Sequence, residues 1–203
     1  MIKNIIFDWA GCLVDNFSQS YEVSMLCFDS LGIKRITKER YRNEFVLPYM
    51  NFYRKYTAAS KKKVDVIFIE HLQRAKKPEL FSSTRKTLRY LHKKGVRMTM
   101  LSSHPQKELE HELSHFRIRS HFLKVSGSVH DKTKVINKHI KNSGFIKKET
   151  LYVGDMTHDI DAGRKAKVKV AAVYWGYQPK KVLAKRKPEF LIRDIKELKK
   201  IIS

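Results

Sequence analysis

Near its beginning the chain reads Ile2-Lys3-Asn4-Ile5-Ile6-Phe7-Asp8-Trp9-Ala10-Gly11-Cys12-Leu13-Val14-Asp15. A short apolar run rich in β-branched residues and closed by a glycine is typical of a central parallel strand that ends in a tight turn. In open α/β sheets, ligands bind beyond the carboxyl ends of such strands, and Asp8 stands at that end. Because a buried carboxylate needs a cation or hydrogen-bond donors, Asp8 is either a reactive group or the cap of the next turn.

More polar residues follow in chain order, each after an apolar run or at the start of a helical stretch. They are Ser102, Ser103, Lys132, Asp155 and Asp159. Because parallel strands end at the same edge of a sheet, we expect these side chains to lie near Asp8. Carboxylates brought together in this way repel one another unless a hard cation lies between them, and Mg²⁺ prefers such oxygen ligands.

This order of motifs resembles the haloacid dehalogenase superfamily and, within it, the phosphoglycolate-phosphatase-like branch. The resemblance extends from Ile2 to the C-terminal run Phe190-Leu191-Ile192. It implies an α/β fold with a doubly wound, Rossmann-like parallel sheet as its core and a small all-helical cap inserted after the first strand. We expect residues 1–15 and 78–203 to form the core. Residues 16–77, whose apolar spacing is helical, would form a cap that closes over the strand ends.

The resemblance also implies roles in phosphoryl transfer. Asp8 would be the nucleophile, and Lys132 would bridge it to the phosphoryl group, with Lys134 as the alternative in this lysine-rich stretch. Ser102 would donate a hydrogen bond to a phosphoryl oxygen, although a serine here can also cap the following helix. Ser103 is available for that capping role, and both serines are predicted to bind substrate, together with Gly11.

A magnesium site is the second implication of the resemblance. Mg²⁺ would be held by Asp8, by the backbone carbonyl of Ala10, by Asp155 and, directly or through water, by Asp159. The alternative for Asp159 is a structural cap on a helix expected at residues 161–167. The predicted substrate is a small phosphorylated metabolite.

Position 10 departs from the usual first motif of the family, which has a second aspartate there as general acid and base. Ala10 cannot protonate a leaving group, and losing such an acid slows catalysis by about 10²–10⁴-fold. The run Asp8-Trp9-Ala10-Gly11 resembles the variant found in phosphonoacetaldehyde hydrolases. Those enzymes form an imine with a cap lysine, but residues 45–50 contain none and Lys55 is the nearest candidate.

Three functions therefore remain open. The favoured hypothesis is a Mg²⁺-dependent phosphohydrolase that is slow or restricted to good leaving groups. The first alternative is a carbon–phosphorus hydrolase like the phosphonoacetaldehyde hydrolases. The second is a non-catalytic protein whose basic surface binds nucleic acid or an acidic partner.

The charge balance bears on that last alternative. The 203 residues include 43 Lys and Arg against 20 Asp and Glu, a formal net charge of +23. Such a field attracts phosphorylated substrates and polyanions. The basic clusters are spread over many segments and no nucleic-acid-binding motif accompanies them, so a generally solvated basic surface is the favoured interpretation.

Other features of the sequence limit the class of protein. The 42% hydrophobic content is enough for a sizeable core, and no apolar run approaches the roughly 18 residues of a membrane helix. Since the N-terminal residues also lack a signal-peptide pattern, we expect a soluble, cytoplasmic protein without membrane partners. Two cysteines, Cys12 and Cys27, form neither a disulfide framework nor a metal quartet.

Overall fold

A computed structural model describes residues 1–202 of the chain. Contacts divide the chain into two compact units. The larger unit consists of Met1–Asp15 together with the chain from Leu80 onward, and the smaller unit is Asn16–Glu79. The boundaries lie at the short strand pair that brackets the inserted segment, Val14–Asp15 and Glu79–Leu80.

The elements alternate between strands and helices after the insertion. In chain order, the strands are β1 (Asn4–Phe7), β2 (Val14–Asp15), β3 (Glu79–Leu80), β4 (Arg97–Leu101), β5 (Phe122–Ser126), β6 (Thr150–Gly154), β7 (Lys169–Val173) and β8 (Phe190–Ile192). The helices are α1 (Phe17–Ser30), α2 (Lys38–Glu44), α3 (Met50–Tyr53), α4 (Lys61–Arg74), α5 (Thr84–Lys93), α6 (Gln106–His115), α7 (Lys132–Ser143), α8 (Thr157–Lys165), α9 (Lys180–Ala184) and α10 (Leu198–Ile201). Single 3₁₀ turns occur at Arg119–His121, Lys147–Glu149 and Ile195–Glu197.

The core of the larger unit is a six-stranded parallel sheet with the order β5-β4-β1-β6-β7-β8. All four residues of β1 are buried, as expected for a strand covered on both faces. The chain runs outward from β1 in both directions, so the carboxyl end of β1 lies at the point where the strand order reverses. Ligands bind at such switch points in doubly wound sheets.

Helices cover both faces of the sheet. Leu88 and Leu91 of α5 pack in one hydrophobic cluster with Leu109 of α6, whereas Ile136 of α7 and Ala162 of α8 belong to another. This two-sided packing confirms the predicted doubly wound, Rossmann-like α/β core.

The smaller unit contains α1, α2, α3 and α4, and its interior is aromatic. Phe28 and Phe52 stack with their ring centroids 5.9 Å apart, and the ring of Tyr41 meets Phe52 edge-on at 5.2 Å. The Tyr41 hydroxyl lies 3.1 Å from Ser20 Oγ and 3.2 Å from Ser24 Oγ, and burial raises the pKa of Tyr41 to about 12. The aromatic residues of this segment therefore build its core.

None of the helices within residues 1–202 combines the length and the apolar composition needed to span a membrane. The helix bounds differ from expectation at one functional position. Helix α8 begins at Thr157 rather than at residue 161, so Asp159 lies in its first turn. Helix α7 ends at Ser143, and Gly144 follows it in the left-handed conformation (φ +60°) that is common at helix C-termini.

Candidate active site

The site is built on the neighbouring strands β1 and β6. Phe7 is in register with Val153, and the amide of Asp8 donates to the Val153 carbonyl at 2.8 Å. The carboxylates of Asp8 and Asp155 therefore leave adjacent strands at the same edge of the sheet. Together with Asp159 they offer carboxylate oxygens within 4.8 Å of one another, and all three residues are buried.

The turn after β1 approaches this cluster closely. Gly11 has φ +69°, and a Cβ at this position would lie 2.2 Å from Asp155 Oδ2. A Cβ at Gly176 would lie 2.3 Å from the same oxygen. The Tyr177 amide donates to Asp155 Oδ2 at 2.6 Å. Gly11 and Gly176 are thus required by the packing around Asp155, while the predicted substrate contact of Gly11 stays a prediction.

Lys132 lies at the centre of the charges. Its Nζ is 2.9 Å from Asp8 Oδ2 and 2.7 Å from Asp159 Oδ1, and its side chain is only 5% exposed. Burial alone would lower the pKa of Lys132, but Asp159 and Asp8 raise it above its usual value. Lys134 is exposed, and its amide donates to the helix-capping Asp131 at 3.0 Å. The structure therefore selects Lys132, not Lys134, as the lysine beside Asp8.

Asp159 is held by more partners than the other two acids. Besides Lys132, its Oδ1 accepts from the Tyr152 hydroxyl at 2.9 Å, and its Oδ2 accepts from the Met156 amide at 3.0 Å. Burial acts to raise the pKa of Asp159, but His158, Lys132 and the Tyr152 hydrogen bond lower it below its usual range. Asp159 also caps α8, so the capping alternative and the cluster position are both realised in one residue.

The other two carboxyls have the opposite shift. Burial, opposed by Lys132 and reinforced by Asp159, raises the pKa of Asp8 to about 6. Burial and the charges of Asp159 and Asp8 raise the pKa of Asp155 well above its usual value. Its Oδ1 is buried and has no hydrogen-bond partner within the part of the chain described. Buried, mutually repelling carboxylates with an unsatisfied oxygen are suited to a divalent cation.

These residues fit the predicted magnesium. Asp155 Oδ1 and the Asp8 carboxylate are the oxygens best suited to direct coordination. Both oxygens of Asp159 already accept hydrogen bonds, which favours the water-mediated contact. The Ala10 carbonyl remains a predicted ligand; Ala10 itself is half-buried in the turn after β1.

Ser102 and Ser103, the next predicted site residues, follow the end of β4. Ser102 is fully buried, and its Oγ accepts from the His104 amide at 3.1 Å. Ser103 is exposed. Helix α6 has Pro105 at its N-cap and no side-chain cap, so the prediction that Ser103 caps this helix is wrong. A hydrogen bond from Ser102 to a phosphoryl oxygen stays a prediction.

Sequence reasoning missed two groups of contacts. Trp9 Nε1 donates to Glu112 Oε2 at 2.7 Å, and Glu112 Oε1 lies 3.5 Å from His104 Nε2. His104 thus lies beside α6, next to the carboxylate of Glu112. Tyr152, which fixes Asp159, was also missed; its position as a polar-tipped residue within the buried strand β6 was the available signal.

The chain matches a family model described as haloacid dehalogenase-like hydrolase over residues 5–173. It is 27% identical over 124 residues to a phosphoglycolate phosphatase from Pseudomonas fluorescens (strain Pf0-1); this match covers 59% of the chain but only 46% of that protein. It is 24% identical over 215 residues to pyrophosphatase PpaX from Bacillus cereus (strain AH820), covering 100% of the chain and 97% of the relative.

Among solved structures, a haloacid dehalogenase-like family hydrolase from Streptococcus pneumoniae superimposes with a TM-score of 0.85 at 18% identity, covering 100% of this chain and 99% of that one. This likeness extends the shared fold over the whole chain. The family match spans the acidic cluster and the lysine that joins two of its members. The chain therefore belongs to the haloacid dehalogenase-like hydrolase family.

Proposed function

We propose that this protein is a Mg²⁺-dependent phosphohydrolase that acts through an aspartyl-phosphate on a small phosphorylated metabolite with a good leaving group. The observation that carries the proposal is the junction of Lys132 with Asp8 and Asp159 beside the unsatisfied Asp155 Oδ1. A nucleophile, a fixed cation and free metal-binding oxygen occur together in this arrangement.

In the first step, an Asp8 carboxylate oxygen forms a bond to phosphorus, the bond from phosphorus to the leaving oxygen breaks, and that oxygen departs with the electron pair. Lys132, held 2.9 Å from Asp8, positions its ammonium to stabilise charge on the phosphoryl oxygens. Bound Mg²⁺ would neutralise phosphoryl charge in the same place. In the second step water attacks the aspartyl-phosphate, which restores Asp8 and releases inorganic phosphate.

Ala10 decides which substrates suit this mechanism. Ala10 has no carboxyl group that could protonate a leaving alkoxide. Phosphate or acetate needs no such proton, because it leaves as a stable anion. The relatives are named for an ester substrate and for pyrophosphate, and the alanine favours the anhydride class. Without a base at position 10 the attacking water is also activated poorly, so the phosphoenzyme should accumulate and the leaving group should appear in an initial burst.

The test is hydrolysis of acetyl phosphate and pyrophosphate with Mg²⁺ or with EDTA. Asp8→Asn should reduce turnover by at least about 10³-fold, since it removes the nucleophile. Asp15→Asn, which changes an exposed carboxylate of the same segment, is the matched control and should stay near wild type. Turnover that survives Asp8→Asn contradicts the proposal, as does an inactive wild type that still binds Mg²⁺, the result expected of a non-catalytic protein. Borohydride trapping of a lysine adduct with phosphonoacetaldehyde would instead identify the carbon–phosphorus hydrolase.

A further inference from the structure

A second concave site lies at the opposite edge of the sheet from Asp8. A groove of about 640 Å³ opens at the amino ends of β1 and β4. Its apolar lining comes from Ile2, Val96, Ile146 and Ile202. A groove of this size can enclose a small ligand group that has an apolar surface.

The charged residues of the groove are mostly cationic. Its one acidic residue within the described chain, Glu149, is paired with Lys3 at 2.9 Å. Lys94 and Arg97 also line the groove and form no salt bridge to any carboxylate of residues 1–202. An anionic group entering the groove therefore finds two cations without a competing acidic partner.

The cations continue along α5. Lys86, Arg89 and Lys93 are exposed at positions i, i+3 and i+7, so they form one stripe, and α5 contains no acidic residue. None of the three forms a salt bridge within residues 1–202. We call Lys86, Arg89, Lys93, Lys94 and Lys199 the α5 face. Like charges at this spacing repel one another, which a polyanion would relieve.

Tyr90 connects the α5 face to the groove. It lines the groove, and its ring lies 4.8 Å from Lys199 Nζ and 5.8 Å from Lys94 Nζ. Cation–π contacts of this kind are weakly stabilising at exposed sites. Two ammonium groups therefore lie beside the tyrosine that lines the groove.

Basic residues elsewhere lack this combination. Lys138 and Lys141 of α7 are exposed on the opposite face of the sheet. Neither makes a cation–π contact with a tyrosine of residues 1–202, and neither lines the groove. In the smaller unit, several cations are neutralised by nearby acids, as in the pairs Lys61–Asp65 and Arg40–Glu44. Of these three basic surfaces, the α5 face is the one that adjoins the groove.

We propose that the α5 face and its groove bind single-stranded nucleic acid, with backbone phosphates along Lys86, Arg89 and Lys93 and an unpaired base in the groove beside Tyr90. An unpaired nucleotide combines an anionic backbone with an apolar base. The backbone would contact the cations of the α5 face, and the base would lie in the apolar groove. Inorganic polyphosphate and sulfated polysaccharides have no apolar group to place in the groove.

The test is fluorescence anisotropy of a labelled oligonucleotide of about 20 nucleotides, titrated from ~50 to ~200 mM KCl. Lys86→Glu/Arg89→Glu/Lys93→Glu should weaken binding by more than about tenfold and flatten the log–log salt dependence by about 2, at roughly 0.7 per lost phosphate contact. The matched control, Lys134→Glu/Lys138→Glu/Lys141→Glu, makes the same charge change on exposed residues of α7, away from the groove, and should weaken binding less than about threefold.

The groove is tested separately. Ile146→Glu places a charge in it and should weaken oligonucleotide binding while heparin binding falls little; Leu123→Glu, at an exposed residue outside the groove, is its control. Equal losses from the two triple variants would overturn the proposal, because net charge alone would then explain binding. So would an Ile146→Glu variant with wild-type affinity, a wild type that does not bind at ~50 mM KCl, or binding to anionic vesicles without binding to the oligonucleotide.

Discussion

The two edges of the sheet carry charge in opposite ways. At the carboxyl edge, Lys132 pairs with Asp8 and Asp159, Asp155 completes the acidic cluster, and every one of these groups is buried. At the amino edge and along α5 the charges are mostly cationic and exposed. Apart from the Lys3–Glu149 pair, the residues Lys86, Arg89, Lys93, Lys94 and Arg97 form no salt bridge to a carboxylate of residues 1–202. The first arrangement is fixed by short contacts and changes pKa values strongly, whereas the second acts through its summed field.

Charges at the two edges are expected to contribute differently to stability and binding, because one set is buried and the other is exposed. A buried ion that loses its partner keeps its desolvation cost, while an exposed ion that loses its neighbours is solvated by water. Substitutions at the carboxyl edge should therefore change the unfolding free energy by several kcal/mol. Substitutions on the α5 face should change it by only tenths of a kcal/mol.

The largest stability effect is expected for Lys132→Met. Asp8 and Asp159 would lose their shared cation, and breaking such a buried pair costs about 3–5 kcal/mol. Urea unfolding at pH 7 measures the loss, which should shrink towards pH 5 as Asp8, with its pKa of about 6, takes up a proton. The control is Lys134→Met on the exposed side of the same turn, expected within about 0.5 kcal/mol of wild type. Equal losses in the two variants would contradict the central role of Lys132.

Ala10→Asp should have the next largest effect, on rate rather than stability. A restored acid should accelerate hydrolysis of an alkyl phosphate ester by about 10–100-fold, with a smaller gain for acetyl phosphate, and should abolish the burst. Steady-state and stopped-flow kinetics report both. Ala10→Asn has the same shape without a transferable carboxyl proton, so an equal gain in that variant would refute the missing-acid explanation.

Asp155→Asn should raise the unfolding free energy of the metal-free protein. Folding raises the pKa of Asp155, so its ionised form destabilises the folded state above the pKa of the unfolded chain, and a neutral amide removes that cost. The gain should be present at pH 7 and disappear below about pH 4, where the carboxyl is protonated in both states. Thermal unfolding with and without MgCl₂ is the measurement: wild type should gain stability from Mg²⁺ and the variant should not. A variant less stable than wild type without metal would contradict this account.

The smallest effect is expected for Arg89→Gln on the α5 face. Burial, His92, Arg89 and Arg85 lower the pKa of His121, so removing one cation should raise that pKa at low salt. NMR titration of the His121 ring measures it, and ~1 M NaCl should remove most of the difference by screening. Unfolding free energy should change by less than about 0.5 kcal/mol. A shift that persists unchanged in high salt would indicate a local structural change instead.

The site residues that directly follow strands were the most predictable from the sequence. Asp8 and Asp155 follow apolar runs typical of parallel strands, which end at one edge of the sheet, so their proximity was expected. That the two strands are neighbours is a finding of the structure. Lys132 could not be distinguished from Lys134 by spacing, because the choice depends on Asp131 capping α7 and setting where its first turn begins.

Contacts distant in sequence were not predictable. Trp9 and Glu112 are 103 residues apart, and nothing in either local pattern indicates that they meet. The capping assignment of Ser103 failed because Pro105 occupies the N-cap of α6. Likewise, the charge of the α5 face was visible as composition, but its distinction from other basic segments depends on Tyr90 and the groove.

One ammonium group serving two carboxylates also constrains how this family can diverge. A descendant that lost Lys132 alone would retain two uncompensated anions in its interior, whereas replacing the whole set by apolar residues of similar volume costs little. The side chain of Ala10 carries no charge, so position 10 can vary without a matching change elsewhere. We therefore expect lineages that abandon turnover to discard Asp8, Lys132 and Asp159 together, and lineages that only retune their chemistry to change position 10 first.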